Sequence, residues 1–411
     1  MNTKLDAYIK ENFPKTIRSN TEDSGNLIGL PKPYNVPTVS DHFQEMYYWD
    51  TYFLNRGLIL EGWTEQAKNN AENMFYLIDR YGFMPNGNRT FYLHNSQPPF
   101  LSMMVDDIYA ETKDKEWLKT GFEALKKEYE FWDKQRKSPI GLTMYTGNRK
   151  MAEDEKMHEG FIERIGNRPE RKTDDQLSWQ YVAICESGWD INPRFDFHVE
   201  DFVSVELNTL MYGFEKNMAK FCDILGEDGK EDWENKASKR LALMEKYMLK
   251  DGIFYDYDFK NDVISDKFTC ASYYAMAIGM LNDSQAKILV DNLYRLETDY
   301  GIATTEKMYD SDLYTYQWQY PNGWAPMQNL VMQGLLKYGF NDDAKRVAQK
   351  YIKLIEKNFE ESENLWEKYN VVTGGIDIAD ESSEGHKKMP SMMGWTAGAY
   401  IEACEIVKKL G

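Results

Sequence analysis

The stretch TEQAKNNAENMFYLIDRYG, Thr64–Gly82, decides the fold class. Its apolar residues Met74, Leu77 and Ile78 recur three and four positions apart, which aligns them on one face of an α-helix. Thr64 is the expected cap, and Gly82 is the residue that leaves the helix through left-handed backbone. EDFVSVELNTLMYGFEKNMAKFCDILG (200–226) and NDDAKRVAQKYIKLIEKNF (341–359) repeat the pattern, the second starting at Asn341 or Asp342. Further helices are expected near 97–113, 114–136, 228–249, 284–296, 324–339 and 391–409. The endings RYG, ILG and KYG share one glycine stop. Only GIFYDYDF (252–259) reads as extended, a short hairpin at most.

No linker rich in Ser, Pro or Gly divides the chain, and its composition does not shift along its length. Many helices at short spacing, with no regular strand between them, imply an all-α fold in a single domain spanning 1–411. An α/α toroid, helical hairpins in a ring around a central cleft, is the natural candidate. Its chemistry is expected in the loops at one end of the ring.

With 42% hydrophobic and 14% aromatic residues the 411-residue chain can build a large core. A formal net charge of −18 argues against a nucleic-acid or anionic-membrane surface and favours a small neutral partner. The opening MNTKLDAYIKENFPK lacks the apolar core of a secretion signal, and no run of about 18 apolar residues occurs. Cys185, Cys222, Cys270 and Cys404 lie far apart without metal-ligand spacing, so they read as buried thiols in a reducing cytoplasm. A cytoplasmic location is therefore expected, with no metal and no cofactor.

Five stretches depart from amphipathic helix: DHFQEMYYWDTYF (41–53), MPNGNRTFYLHNSQPPF (84–100), ICESGWDINPRF (184–195), YQWQYPNGWAP (316–326) and LWEKYNVVTGG (365–375). Each mixes Trp, Tyr or Phe with carboxylates, amides or Arg. Such mixtures suit a sugar, whose C–H faces stack on aromatic rings while its hydroxyls bond to amides and carboxylates. The plainer alternative is a set of turns, since Pro-Asn-Gly is a turn signal in its own right.

These segments resemble the trehalase family of inverting α-glycosidases, in order along nearly the whole chain. YYWDTYF is similar to the first signature of that family, PNGNRTFYLHNSQPPF to the sugar-binding segment, and ESGWD to the segment of the catalytic acid. GIATTEKMYDSDLYTYQWQYPNGWAP is similar to the second signature, and WEKYNV with the later GWTAG to the last part of the site. The resemblance implies an (α/α)6 barrel. It implies Asp190 as general acid and Glu367 as general base, which inversion needs on opposite faces of the anomeric carbon, roughly 6.5–9.5 Å apart. Trp189 beside Asp190 is expected to keep water off the acid and hold it protonated. Substrate contacts carry over to Phe43, Trp49, Asp50, Asn86, Asn95, Gln97, Arg168, Glu170, Gly188, Trp189, Trp324 and Glu384. The bland alternatives are a cap or turn carboxylate for Asp190 and a solvated helix-end charge for Glu367.

The chain departs from the family pattern where substrate is held. His42 and Asn95 stand at positions where the family carries arginine, and Gln319 stands where it carries aspartate. Neither His nor Asn reproduces the bidentate guanidinium fork. The resemblance thus implies hydrolysis of trehalose or a similar small α-glucoside, with glucosylglycerate and mannosylglycerate as alternatives. The acidic run GGIDIADESSEG replaces a glycine-rich one, and the loop 376–390 is expected to act as a lid.

Other classes find less support. The five histidines are scattered, HEGFI lacks the second His of a metalloprotease helix, and no phosphate-binding glycine loop or nucleophile elbow occurs. A sugar epimerase on the same toroid would need bases outside the carboxylate motifs. A non-catalytic carbohydrate-binding protein is the rival from outside enzymology, and it has no use for an opposed acid and base.

Overall fold

Inner and outer helices of this chain differ in how much of their circumference is apolar, and that difference builds the ring. A computed structural model describes residues 3–150, 175–195, 198–308, 316–378 and 389–411. Outer α1 (Thr3–Asn12) leads to inner α2 (Tyr48–Leu60), and outer α3 (Thr64–Tyr81) to inner α4 (Leu101–Thr112). Outer α5 (Lys115–Gln135) is followed by α6 (Asp175–Ile184) in a long connection, then by inner α7 (Val205–Leu225). Outer α8 (Lys230–Met248) precedes the short inner α9 (Tyr274–Ile278), and outer α10 (Asp283–Asp291) precedes inner α11 (Ala325–Lys337). Outer α12 (Asn341–Ser362) and inner α13 (Gly394–Leu410) complete the chain. Each inner helix packs on the next, α2 on α4, then α7, α9, α11, α13 and back to α2. This is a single-domain (α/α)6 barrel.

Outer α12 buries a stripe, Val347, Tyr351, Leu354, Ile355 and Asn358, and keeps every lysine and glutamate off it, half-exposed or exposed. Inner α11 buries every residue from Ala325 to Met332, because neighbours cover it on all sides. α2 and α13 meet closest at Gly398: a Cβ there would lie 2.1 Å from the carbonyl oxygen of Phe53. Any side chain at 398 forces the two helices apart.

Several expected elements are where periodicity put them. α3 begins at Thr64, with Trp63 and not Thr64 in the capping position, and it stops at Gly82 with φ 81°. α12 starts at Asn341. GIFYDYDF contributes Ile253–Phe254 and Tyr257–Asp258 to short antiparallel pairings. α2 was not expected, because its first turns fall in the aromatic-rich stretch 41–53 that reads as a departure from amphipathic helix, and nine of its thirteen residues are buried. Another addition is the strand pair Asn322–Trp324 with Lys368–Asn370, antiparallel, with Trp324 opposite Lys368. Among the described residues no helix is long and apolar enough to cross a membrane.

Candidate active site

The segments that enter the inner helices at their N-terminal ends converge on one cavity of about 270 Å³. Phe43, Tyr47, Trp49 and Asp50 come from the entry to α2, and Asn86, Phe91, Tyr92, His94, Asn95 and Gln97 from the entry to α4. Cys185, Gly188 and Asp190 come from the connection to α7, Gln317, Trp318 and Trp324 from the entry to α11, and Glu367, Met392 and Trp395 from the entry to α13. Alternating hairpins put all these segments at one end of the barrel.

Asp190 hangs in a loop fixed on both sides. Gly188, at φ 73°, turns the chain against the indole of Trp49, where a Cβ would meet Cε2 at 2.7 Å. The Trp189 N–H donates to Ser187 Oγ (3.1 Å), and the Asn192 amide donates to the Trp189 carbonyl (2.5 Å). The Trp318 N–H then bonds the Ile191 carbonyl at 2.9 Å, tying this loop to the entry of α11. α6 ends at Ile184 and α7 begins at Val205, so Asp190 caps no helix.

Glu186, in the same motif, is fully buried and supports the site from behind. Its carboxylate accepts from Arg136 Nε and Nη2 (each 2.8 Å), from Ser96 N–H (2.9 Å) and from Thr146 N–H (3.0 Å). One side chain thereby fixes three loops.

Glu367 is 8% exposed and lies well past the end of α12, not among the solvated glutamates there. Its N–H donates to the Pro390 carbonyl (3.1 Å), and its own carbonyl accepts from Trp395 Nε1 (3.2 Å). Its Oε2 accepts from Lys368 Nζ at 3.1 Å.

A column of stacked rings runs between the segments of Asp190 and Glu367. Trp189 stacks on Trp318 (5.5 Å between centroids, 11° between planes), and Trp318 stacks on Trp324 (3.8 Å, 4°). Arg194 closes one end, 4.6 Å from the Trp189 centroid, and Lys368 Nζ closes the other, 4.8 Å from that of Trp324. Buried Arg194 is matched by Asp256 (2.7 and 3.0 Å) and by Glu206, so its charge has partners.

Burial pushes the Asp50 carboxyl up to about 8, and the charges of Glu367 and Asp190 add to the rise. Asp50 is therefore largely protonated at neutral pH. Burial likewise pulls the His94 imidazole down to about 4, leaving a neutral ring with Nδ1 bonded to the Phe91 carbonyl. Asn95, 1% exposed in the cavity wall, has no partner among the described residues for either atom of its side-chain amide. An isolated buried amide is costly, so it is suited to a ligand with both donors and acceptors.

Ten of the expected site residues meet in this cavity: Phe43, Trp49, Asp50, Asn86, Asn95, Gln97, Gly188, Asp190, Trp324 and Glu367. Trp189 does not line it; its indole is withdrawn into the stack. His42 and Gln319 are also outside the lining. Arg168, Glu170 and Glu384 lie outside the described residues, as do positions 379–388 of the expected lid 376–390. Tyr47, His94, Gln317, Trp318 and Trp395 are lining residues that the motifs contained or flanked without marking out. Aromatic faces, unpartnered amides and three carboxyls can hold a polyhydroxylated ring and exchange protons with it.

A family model described as Trehalase matches residues 1–408. A periplasmic trehalase of Xanthomonas oryzae pv. oryzae is 30% identical over 424 residues, covering 97% of this chain and 72% of the relative. A periplasmic trehalase of Salmonella paratyphi B is 29% identical over 436 residues, covering 98% and 73%. Among solved structures, neutral trehalase Nth1 from Saccharomyces cerevisiae superposes with a TM-score of 0.76 at 26% identity, over 91% of this chain and 73% of that one. A GH63 mannosylglycerate hydrolase from Thermus thermophilus, in complex with glucose, gives a TM-score of 0.67 at 15% identity over 98% and 100%, a likeness of fold alone.

These relatives overturn the cytoplasmic location expected from the amino-terminal stretch and the cysteines, since both curated proteins are named periplasmic. All four cysteines are buried. Buried thiols report their own shielding and not the redox state outside, so they never discriminated between compartments. With its family model matched across residues 1–408 and a relative at 30% identity, the chain belongs to the trehalase family and is a glycosidase.

Proposed function

We propose that this protein hydrolyses trehalose, or a closely similar small α-glucoside, with inversion, using Asp190 as acid and Glu367 as base. The observation that supports this most is that both carboxyls, from distant motifs, line one cavity walled by indole rings and amides. Asp190 gives its proton to the glycosidic oxygen as the bond to the anomeric carbon breaks. Glu367 takes a proton from the water that attacks the opposite face of that carbon. Protonated Asp50 acts as a hydrogen-bond donor to a sugar hydroxyl, since a neutral carboxyl can donate where a carboxylate cannot.

A neutral sugar on the leaving side is favoured because three carboxyls and, among the described residues, no Lys or Arg line the cavity. The names of the curated relatives support both trehalose and a periplasmic setting. Asn95 supports a second reading: an amide in place of the family's guanidinium alters how the substrate is held and leaves room for glucosylglycerate or mannosylglycerate.

Incubation with trehalose, glucosylglycerate, mannosylglycerate and kojibiose, followed by proton NMR during the first turnovers, tests these readings. Inversion of trehalose gives equal amounts of α- and β-glucose at first, whereas retention gives α alone. Asp190→Asn and Glu367→Gln should each abolish turnover while leaving the fold intact. Cleavage confined to the glycerates favours the second reading; tight binding with no cleavage of any sugar returns the protein to the non-catalytic class.

A further inference from the structure

We propose that Lys368 positions the base: its ammonium holds the Glu367 carboxylate ionised and aimed, with the tryptophan column as rigid backing. This rests on the assignment of Glu367 as base. Glu367 sits in the bend just before the strand Lys368–Asn370, and Lys368 Nζ reaches its Oε2 at 3.1 Å. Lys368 is 3% exposed, and its Nζ also lies over the ring of Trp324, the residue directly opposite it in the strand pair. An ammonium between a carboxylate and an indole face is favoured in its charged form by both.

The site needs such a device. Glu367 shares the cavity with Asp50 and Asp190, and three carboxyls in one enclosure cannot all ionise cheaply. The other titratable groups of the described lining are the neutral His94, the Cys185 thiol and the tyrosines Tyr47 and Tyr92. Tyr369, two residues past the base on the strand Lys368–Asn370, has its hydroxyl oxygen accepting from the Trp366 N–H. The ammonium of Lys368 is hydrogen-bonded to Glu367 itself. That placement directs negative charge to the base and leaves protons to Asp50 and Asp190.

The column makes the contact precise. Trp324 is stacked on Trp318, and the Trp395 edge meets Trp324 at 84° while its Nε1 bonds the Glu367 carbonyl. Lys368 therefore rests on a ring that cannot tilt without moving the loop of Asp190 as well.

The test is the pH profile of kcat/KM for trehalose in Lys368→Met and Lys368→Gln, with circular dichroism to verify folding. The acid limb, where the base loses its charge, should move up by about 1 pH unit or more, because an opposite charge at this range shifts a carboxyl by about 1–3 units. KM should change less than kcat, and Lys368→Arg should restore much of the wild-type limb. A purely structural lysine would lower thermal stability and leave the limb in place, and an unmoved limb in either folded variant overturns the proposal. Failure of the underlying reading looks different: Glu367→Gln would then retain turnover.

Discussion

Trp318 lies flat on Trp324, with ring centroids 3.8 Å apart and planes 4° from parallel. Its backbone N–H holds the Ile191 carbonyl, one residue past Asp190, while Trp324 is paired in register with Lys368, one residue past Glu367. The stacked pair is thus a direct mechanical link between two carboxyls on remote segments. Trp318→Ala should cost about 3–5 kcal/mol, as for other large buried aromatics, and should reduce turnover more than stability alone explains. Trp318→Phe should keep most of the stability. Urea midpoints and steady-state kinetics on trehalose check this; an alanine variant with full activity removes the link.

Asp50 is pushed up to about 8, so below that pH it is a neutral donor. Asparagine is also neutral and also donates. At pH 6.5, Asp50→Asn should keep kcat/KM within about tenfold of wild type, while Asp50→Ala should lose the equivalent of about 1–3 kcal/mol, the range for an orphaned buried partner. If asparagine proves as damaging as alanine, Asp50 acts as an anion and its proton is not what the site uses.

Outer helices such as α3 and α12, and the glycine stop of α3, were legible because a half-buried helix displays its period. Inner α4, α7, α11 and α13 were expected too, but α2 was not, because Tyr48, Trp49, Tyr52 and Phe53 all lie buried and blur its period. The pairing of Asn322–Trp324 with Lys368–Asn370 escaped for another reason: three-residue strands carry no alternation, and their register is set by tertiary packing. The segments of Asp190 and Glu367 stood out through their aromatic flanks and the family resemblance, and both residues line the cavity. Glu186 was not, although it lies in the same motif as Asp190, because its partners Arg136, Ser96 and Thr146 are spread along the chain. A buried charge looks like any other acid until its partners are located.

Glu186 therefore makes a sharp test of how the site is supported. Glu186→Ala leaves Arg136 buried without its carboxylate and two backbone amides without acceptors, and it should cost about 3–5 kcal/mol. Glu186→Gln retains one acceptor oxygen but not the charge, so it should fall between alanine and wild type. Since no Glu186 atom lines the cavity, the loss of activity at low temperature should follow loss of order in the 146 and 186 loops, measurable as faster amide hydrogen exchange at Ser96 and Thr146. Unchanged exchange there would refute the anchoring role.

Glu128 offers a pH dependence whose sign can be worked out. It is fully buried on α5, accepts from the Tyr48 hydroxyl, and that oxygen in turn accepts from the Leu101 N–H at 3.1 Å. Burial pushes its carboxyl from 4.5 up to about 7, against the opposing Tyr48 hydrogen bond. Between those values the folded protein holds a proton that the unfolded chain releases, so stability is greatest below about 4.5 and falls as pH rises to about 7. The full swing is about 3 kcal/mol, from 1.36 kcal/mol per unit. Glu128→Gln keeps an acceptor for Tyr48 and has no charge to bury. It should match wild type near pH 4.5 and exceed it at pH 8, which urea midpoints at pH 5, 6, 7 and 8 will compare. Parallel profiles for the two proteins would mean that Glu128 does not carry this slope.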